Sequence, residues 1–271
     1  MLKMDTFKGK TVVITGGSDG IGKALVEQFL ELGANVATCG RSEDKLYLLK
    51  VKHSGKPLHT MSVDIRREEE CKRFIEGAIK DFGGIDVLIN NAGISMRAMF
   101  QEVELETLRA VMDVNFWGTV YCTKFALESI TQRKGAIVGV SSIAGFRGLP
   151  GRSGYSASKF AVNGWLEALR TELLPTGVHV MWVCPGFTTS NIRNVALDKD
   201  GQPQGESPLE EGKLMSAEEC ARRIVQAIWK RKRTVVMTFQ GNETVWVNKL
   251  LPGVADKLVH NFFFKKGKLV K

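Results

Sequence analysis

The run Lys10-Thr-Val-Val-Ile-Thr-Gly-Gly-Ser-Asp-Gly-Ile-Gly22 decides the fold. Its first half is short, apolar and β-branched, the composition of a strand. Glycines then interrupt it, and beyond them Ile21, Leu25, Phe29 and Leu32 recur at helical spacing until Gly33 closes the pattern. A strand, a tight turn and a helix therefore follow one another. Gly16, Gly20 and Gly22 stand in the turn in Thr-Gly-x-x-x-Gly-x-Gly spacing, with Ser18 and Ile21 among them. Lacking side chains, these glycines let the backbone approach a pyrophosphate at the positive end of the helix.

Outward from this unit the alternation continues. Apolar strand-like runs occupy 35–39, 58–63, 85–89, 136–140, 178–184 and 234–239, and helical patterns run from 67 to 82, from 104 to 130 and onward from Ser216, which has Glu219 at capping-box spacing. Strands alternating with helices require a parallel sheet covered on both faces, and crossover handedness leaves a doubly wound (Rossmann) α/β fold of about seven strands. No Pro/Ser-rich linker or internal repeat divides the 271 residues, so one domain is expected over 1–271. Such a fold places its site at the carboxyl ends of the strands.

Composition narrows the function classes. The amino-terminal residues carry no apolar core of signal-peptide length, and no eighteen apolar residues run together; a cytoplasmic protein is expected. Five widely spaced cysteines embedded in apolar patterns read as reduced core residues, and the four histidines show no metal-ligand spacing. Neither a disulfide nor a metal site is expected. The net charge of +9 is concentrated late, in Lys230-Arg-Lys-Arg233 and in Lys265, Lys266, Lys268 and Lys271. No nucleic-acid-reading motif accompanies it, so an acidic cofactor and an anionic membrane surface explain it better.

The chemistry lies in 138–160. Tyr155 and Lys159 are four apart, which puts both on one face of a helix. A nearby ammonium lowers a phenol's pKa from about 10 by roughly 1–3 units, making an acid/base able to work near neutral pH. Ser142 ends the strand-like run 136–140, where a Gly-rich loop could fold its hydroxyl back beside Tyr155 to hold a carbonyl or alcohol oxygen.

The cofactor's preference is read at the end of the second strand. A fold of this kind that prefers NAD places an acid there on the ribose hydroxyls, but this chain has Gly40 and then Arg41. A missing carboxylate removes repulsion of a 2′-phosphate and a guanidinium supplies a two-pronged partner, so NADP(H) is expected in preference to NAD(H). The plainer reading of Arg41 is a solvated charge at a helix start capped by Ser42.

Taken in order, Thr15 to Gly22, Asn90-Asn-Ala-Gly93, Asn115, Ser142, Tyr155, Lys159 and Pro185-Gly186 resemble the short-chain dehydrogenase/reductase family over about Lys10 to Thr189. Wording such as Gly-Arg-Ser-Gly-Tyr-Ser-Ala-Ser-Lys is similar to the dehydrogenase/reductase member seven and eleven-beta-hydroxysteroid dehydrogenase branch. The resemblance implies reversible carbonyl reduction with Tyr155 as proton donor, Ser142 orienting the oxygen, and Lys159 both tuning the tyrosine and gripping the nicotinamide ribose. It implies that Asn115 opens its helix locally and holds a relay water. Asn91, Ala92 and Gly93 would line the cofactor, with Asp64 at the adenine unless it simply caps the next helix. Pro185, Gly186 and Thr188 would meet the nicotinamide amide, and Ser190 the diphosphate. One departure is Asp19, where many NADP-preferring relatives carry a basic residue.

Relatives of this branch favour apolar carbonyls such as steroids, retinoids and lipids; a small polar ketone or sugar competes, and so does a non-catalytic nucleotide-binding redox sensor, which would not need the acid/base set. The segment 191–215, rich in Gly, Pro and charge and poor in periodicity, reads as a substrate lid. In the extension 242–271, Val245, Trp246, Leu250, Val254, Leu258 and Val259 have near-helical spacing. They would pack on the chain's own core or on a partner subunit, in a homodimer or homotetramer. Phe262, Phe263 and Phe264 beside the terminal lysines would alternatively form a wedge in an anionic membrane surface.

Overall fold

A computed structural model describes residues 5–189, 191–205 and 214–270. A parallel sheet carries the fold in the order β3-β2-β1-β4-β5-β6-β7. Its strands are β1 (Thr11–Thr15), β2 (Asn35–Gly40), β3 (Leu58–Ser62), β4 (Val87–Asn90), β5 (Ala136–Val140), β6 (His179–Cys184) and β7 (Thr234–Val236). Central strands read as unbroken apolar runs because both faces are covered: every residue of β1 and β5 is buried. One face packs on α1 (Gly20–Glu31) and α7 (Ala217–Trp229), where Leu25, Phe29 and Ile224 are fully enclosed. The other packs on α3 (Glu68–Phe82), α5 (Gly118–Gln132) and α6 (Ser153–Glu172), with Phe74, Ile130 and Leu166 at its centre. Burying each such side chain contributes about 1.5–3 kcal/mol. α2 (Glu43–Lys52) follows β2 and is capped by Ser42, which accepts from Lys45 N at 3.3 Å.

Sheet order fixes the crevice. The chain begins at β1, winds outward to β2 and β3, then returns to β4 on the other side of β1. The crossovers on either side of β1 lead away from each other, leaving an opening at its carboxyl end. At the opposite end, Asp86 accepts from Lys10 Nζ at 3.1 Å, Thr11 N at 2.9 Å and Arg133 Nη1 at 2.9 Å, fastening the strand starts away from the site.

The helical pattern 104–130 is α4 (Leu105–Met112), a π-helical turn Asp113–Trp117 and then α5, so the helix loosens at Asn115, as the resemblance implies. Three expectations need correction. The last strand stops at Val236, because Thr238 caps α8 (Phe239–Leu250) by accepting from Gly241 N at 3.1 Å. The apolar pattern after Gly241 is broken at Pro252, which lacks an N–H and opens α9 (Pro252–Phe263). The three phenylalanines form no exposed wedge: Phe263 is only 2% exposed and Phe264 stacks on His260. A small hairpin of β8 (Phe264–Lys265) and β9 (Lys268–Leu269) turns back, and Val270 N donates to Phe263 O at 2.8 Å.

Residues 191–205 are less open than their composition implies. Leu197 bridges Met96 and Pro203, Ala196 is buried, and Glu104 N donates to Lys199 O at 2.9 Å. Ser190 and the stretch 206–213 of the expected lid lie outside the described residues.

Candidate active site

The glycine turn sits at the carboxyl end of β1. Gly16 has φ +70, and a Cβ there would meet Ala92 Cα at 2.9 Å; at Gly22 it would meet Gly16 O at 2.1 Å. Any larger residue would push the turn off the next strand's loop, so the glycines serve close approach inside the fold as well as toward a ligand. Asn91 knits the two together: its Nδ2 donates to Thr15 O at 2.9 Å and Gly16 O at 3.2 Å, and Thr15 Oγ1 accepts from Asn91 N at 3.1 Å and Ala92 N at 3.0 Å.

A cavity of about 1430 Å³ runs from this turn to the start of α6. Gly16, Ser18, Gly20, Ile21 and Gly22 line one end, and Asn91, Ala92 and Gly93 line its floor. Arg41 and Asp64 stand at the rim beyond β2 and β3, and Pro185, Gly186 and Thr188 form the wall after β6. A Cβ on Gly40 would meet Ser18 Oγ at 2.6 Å, so a side chain at the position where an NAD-preferring fold carries its acid would have to displace the Ser18 hydroxyl. Asp19 caps α1, accepting from Gly20 N at 2.8 Å, and pairs with Lys45 from α2. Burial works against that carboxylate, but Lys45 and the Gly20 amide hold it below its ordinary value.

Asp64 caps no helix. Its carboxylate takes Arg66 two-pronged, from Nε at 2.9 Å and Nη2 at 2.6 Å, and this guanidinium holds it below the usual carboxylate range. Thr188 is buried, its hydroxyl donating to Gly186 O at 3.1 Å, and Met215 bridges to it across the cavity mouth. The donors and shape fit a dinucleotide: α1's N-terminus, the backbone around Gly16 and two cations at the rim suit phosphates, and a long cleft leads toward Tyr155.

The reacting end is assembled from four elements. Ser142 follows β5, and its Oγ accepts from Ala144 N at 3.1 Å. Tyr155 and Lys159 lie on α6, with Lys159 Nζ 5.7 Å from the Tyr155 ring centre. Lys159 is 5% exposed and donates to Val140 O at 2.9 Å. Asn115 is buried, accepting from Ile94 N at 2.8 Å and donating to Ile94 O at 3.0 Å and Ser158 Oγ at 2.9 Å. It clamps the Gly93 loop to α6, and the π-turn gives it the room to do so.

The electrostatics correct one expectation. Burial raises Tyr155 above its ordinary value; the Ser142 hydroxyl and the Arg152 charge pull it back in part. Lys159 is aimed at Val140 O rather than at the phenol, and burial pushes its own pKa down to about 8. A phenol, a hydroxyl and a lysine able to lose its proton near neutral pH make a proton-transfer chain.

Several contributors escape a reading of the sequence. Thr15 and Ser158 act through hydrogen bonds to partners 43 or more positions away. Lys45 reaches the rim only because α2 folds back over Asp19. The far wall comes from α8 and α9, including Trp246, Leu258 and Phe263. Their spacing was visible, but which side faced inward was not.

A family model described as short chain dehydrogenase matches residues 10–200. The chain belongs to the short-chain dehydrogenase family. Within it, the chain is 35% identical over 248 residues to 11-beta-hydroxysteroid dehydrogenase-like 4A of Arabidopsis thaliana, covering 90% of this chain and 81% of that one. It is 32% identical over 260 residues to dehydrogenase/reductase SDR family member 7B of Mus musculus, covering 93% and 80%. A solved short-chain dehydrogenase/reductase from Burkholderia phymatum, in complex with NAD, shares the fold with TM-score 0.80 at 23% identity, covering 92% of this chain and 95% of that one. The family is an oxidoreductase family acting between alcohols and carbonyls, and the chain falls in its hydroxysteroid dehydrogenase-like branch.

Proposed function

We propose that the protein interconverts a carbonyl and an alcohol with NADP(H), on a substrate whose body is apolar. The observation that carries this reading is one continuous cavity joining the glycine turn to Ser142, Tyr155 and Lys159, walled beyond them by apolar side chains of α8 and α9. Bound there, a nicotinamide cofactor supplies or takes the hydride at the carbonyl carbon. Ser142 orients the substrate oxygen and Tyr155 transfers the proton to it. Lys159 holds the cofactor's ribose end and returns a proton to Tyr155, a role suited to an ammonium whose pKa is near 8. Asn115 keeps Gly93 and Lys159 in register and supports the relay.

For NADP(H), Arg41 and Lys45 supply two cations where a 2′-phosphate would sit, and Lys45 neutralises Asp19, the one nearby acid that would repel it. Arg41 is also exposed at a helix start, so it is the pair rather than either residue that argues for the phosphate. Initial-rate measurement over a panel of apolar and polar ketones with NADPH and with NADH tests the whole reading. Turnover of apolar ketones with NADPH is the expected result; a preference for NADH, or for sugars, rejects the corresponding half.

The same reading gives the chain's surroundings. Leu250, Leu251 and Val254 are exposed on and between α8 and α9, whose inner faces line the cavity, and Lys249, Lys257, Lys265, Lys266 and Lys268 are exposed along the same segment. This surface suits reversible contact with an anionic membrane, from which an apolar substrate enters directly. Five buried free thiols fit a reducing compartment such as the cytoplasm. Trp117 on the π-turn, with Tyr121 of α5 stacked on it, and Phe160 on α6 are aromatic side chains suited to a homodimer contact, and Trp117 and Phe160 are exposed. Among the described residues no helix is long and apolar enough to cross a membrane.

A further inference from the structure

Arg152 lines the cavity one helical turn before Tyr155, at the start of α6. Its Nε is buried without a partner, and no hydrogen bond or ion pair reaches its guanidinium among the described residues. Phe263 lies under it, 5.8 Å from ring centre to guanidinium carbon, near the outer limit of a cation–π contact and no use to the five N–H donors. Among the described residues, the carboxylates that line the cavity are engaged or exposed: Asp19 pairs with Lys45, Asp64 with Arg66, and Glu243 is exposed.

Other cations collect behind it. Arg193 also lines the cavity, is 9% exposed, and donates to Thr188 O at 3.0 Å. Arg97 has a buried Nε without a partner. Burial most disfavours the protonated form of Arg152; Tyr155 works against this, and the charges of Arg97 and Arg193 add to it. A half-buried guanidinium with an unpaired Nε on the cavity wall favours an anion that can enter and pair with it. Among the described residues, the other arginines with shifted pKa have partners: Arg66 takes Asp64, Arg222 takes Glu219, and Arg170 donates to Val180 O and Arg233 O.

We propose that Arg152 is the anion-binding end of the substrate cleft, and that the carbonyl substrate carries an acid group, a carboxylate or a phosphate, on its apolar body. This deepens the reading above and rests on it only for the reaction. The chemistry balances as before: hydride from NADPH to the carbonyl carbon, the Tyr155 proton to its oxygen, and NADP⁺ and an alcohol as products. The acid group takes no part in bond changes. Paired two-pronged with Arg152, it fixes which end of an otherwise featureless apolar molecule lies at Tyr155.

Two measurements test this. In the first, kcat/KM with NADPH is compared for a series of medium-chain keto acids and their methyl esters. The acid should be preferred by about 10- to 100-fold, the scale of one hydrogen-bonded charge pair, and Arg152→Gln should bring the ratio of acid to ester toward one, with Arg152→Lys in between. An ester preferred by the wild type, or an unchanged ratio in Arg152→Gln, overturns the proposal; the latter would mean that Arg152 acts on Tyr155 or on folding. In the second, equilibrium binding of decanoate, decyl phosphate and 1-decanol to the NADPH-loaded protein needs no turnover. Decanoate or decyl phosphate should bind about 10-fold or more tighter than the alcohol, and the tighter of the two names the acid. Equal binding of all three overturns the anion site. Arg152-dependent decanoate binding without turnover of any carbonyl would uphold it and reject the reductase reading instead.

Discussion

Replacing Lys159 by Met should change the shape of the stability–pH curve more than its height. Lys159 is 5% exposed and burial holds its pKa at about 8 against an ordinary 10.5. Below pH 8 the lysine is protonated folded and unfolded alike, and the folded protein bears the full cost of the buried charge. Between 8 and 10.5 the folded state releases its proton first, so the unfolded state binds more protons and stability rises with pH. The slope is about 1.4 kcal/mol per pH unit, and the whole gain roughly 3 kcal/mol. Opposing this, burial pushes Cys39, Cys184 and Cys220 up to about 12, so the folded state keeps thiol protons that the unfolded state loses, and total stability falls with pH over the same window. That fall is common to both proteins at Cys39 and Cys220, and at Cys184 apart from the part its thiol owes to the Lys159 charge. Urea unfolding of cofactor-free wild type and Lys159→Met at half-unit steps from pH 7 to 10.5 gives a difference curve from which the common part cancels. The difference should be level below about pH 8 and then climb in favour of the wild type by roughly 3 kcal/mol. Methionine also removes the donor to Val140 O, which costs about 1–3 kcal/mol at every pH and shifts the curve without tilting it. A difference curve that stays flat through pH 10.5 would refute the burial argument, and with it the idea that Lys159 can exchange a proton near neutral pH.

Tyr155→Phe should lower kcat by roughly 10²–10⁴-fold while NADPH binding, followed by fluorescence, stays nearly intact; substantial turnover in a folded variant would place the chemistry elsewhere. Arg41→Ala should raise the KM for NADPH with little effect on NADH, by the roughly 1.5–3 kcal/mol of a charge-assisted hydrogen bond. Lys45→Ala should do at least as much because it also bares Asp19, and equal losses for both cofactors would reject the phosphate assignment. Salt-sensitive flotation with anionic vesicles should be weakened by Leu250→Asp with Leu251→Asp, and each lysine at the surface should add about 1 kcal/mol at most. Removal of 264–271 alone should matter less, and the reverse order would return the contact to the tail.

The sequence by itself determined the elements whose causes are local. The β-branched run before Gly16, the helical spacing that ends at Gly33, and the caps at Ser42 and Ser216 are short-range effects, and all appear where their residues put them. The order of motifs likewise placed Ser142, Tyr155, Lys159 and the glycine turn along one cavity, because a parallel sheet gathers its strand ends on one edge. Only the tertiary structure decided what depends on partners far along the chain. Phe262 to Phe264 looked alike in sequence, but the fold turns Phe263 under Arg152, since a β-hairpin and a helix end fix its direction together. Lys159 and Tyr155 share a helix face as their spacing requires, yet Val140 O on a neighbouring strand, not the phenol, receives the ammonium. Asp19 and Lys45, 26 positions apart, meet only when α2 folds over the turn. Charge and burial act through space, and distance along the chain carries no record of them until the chain has folded.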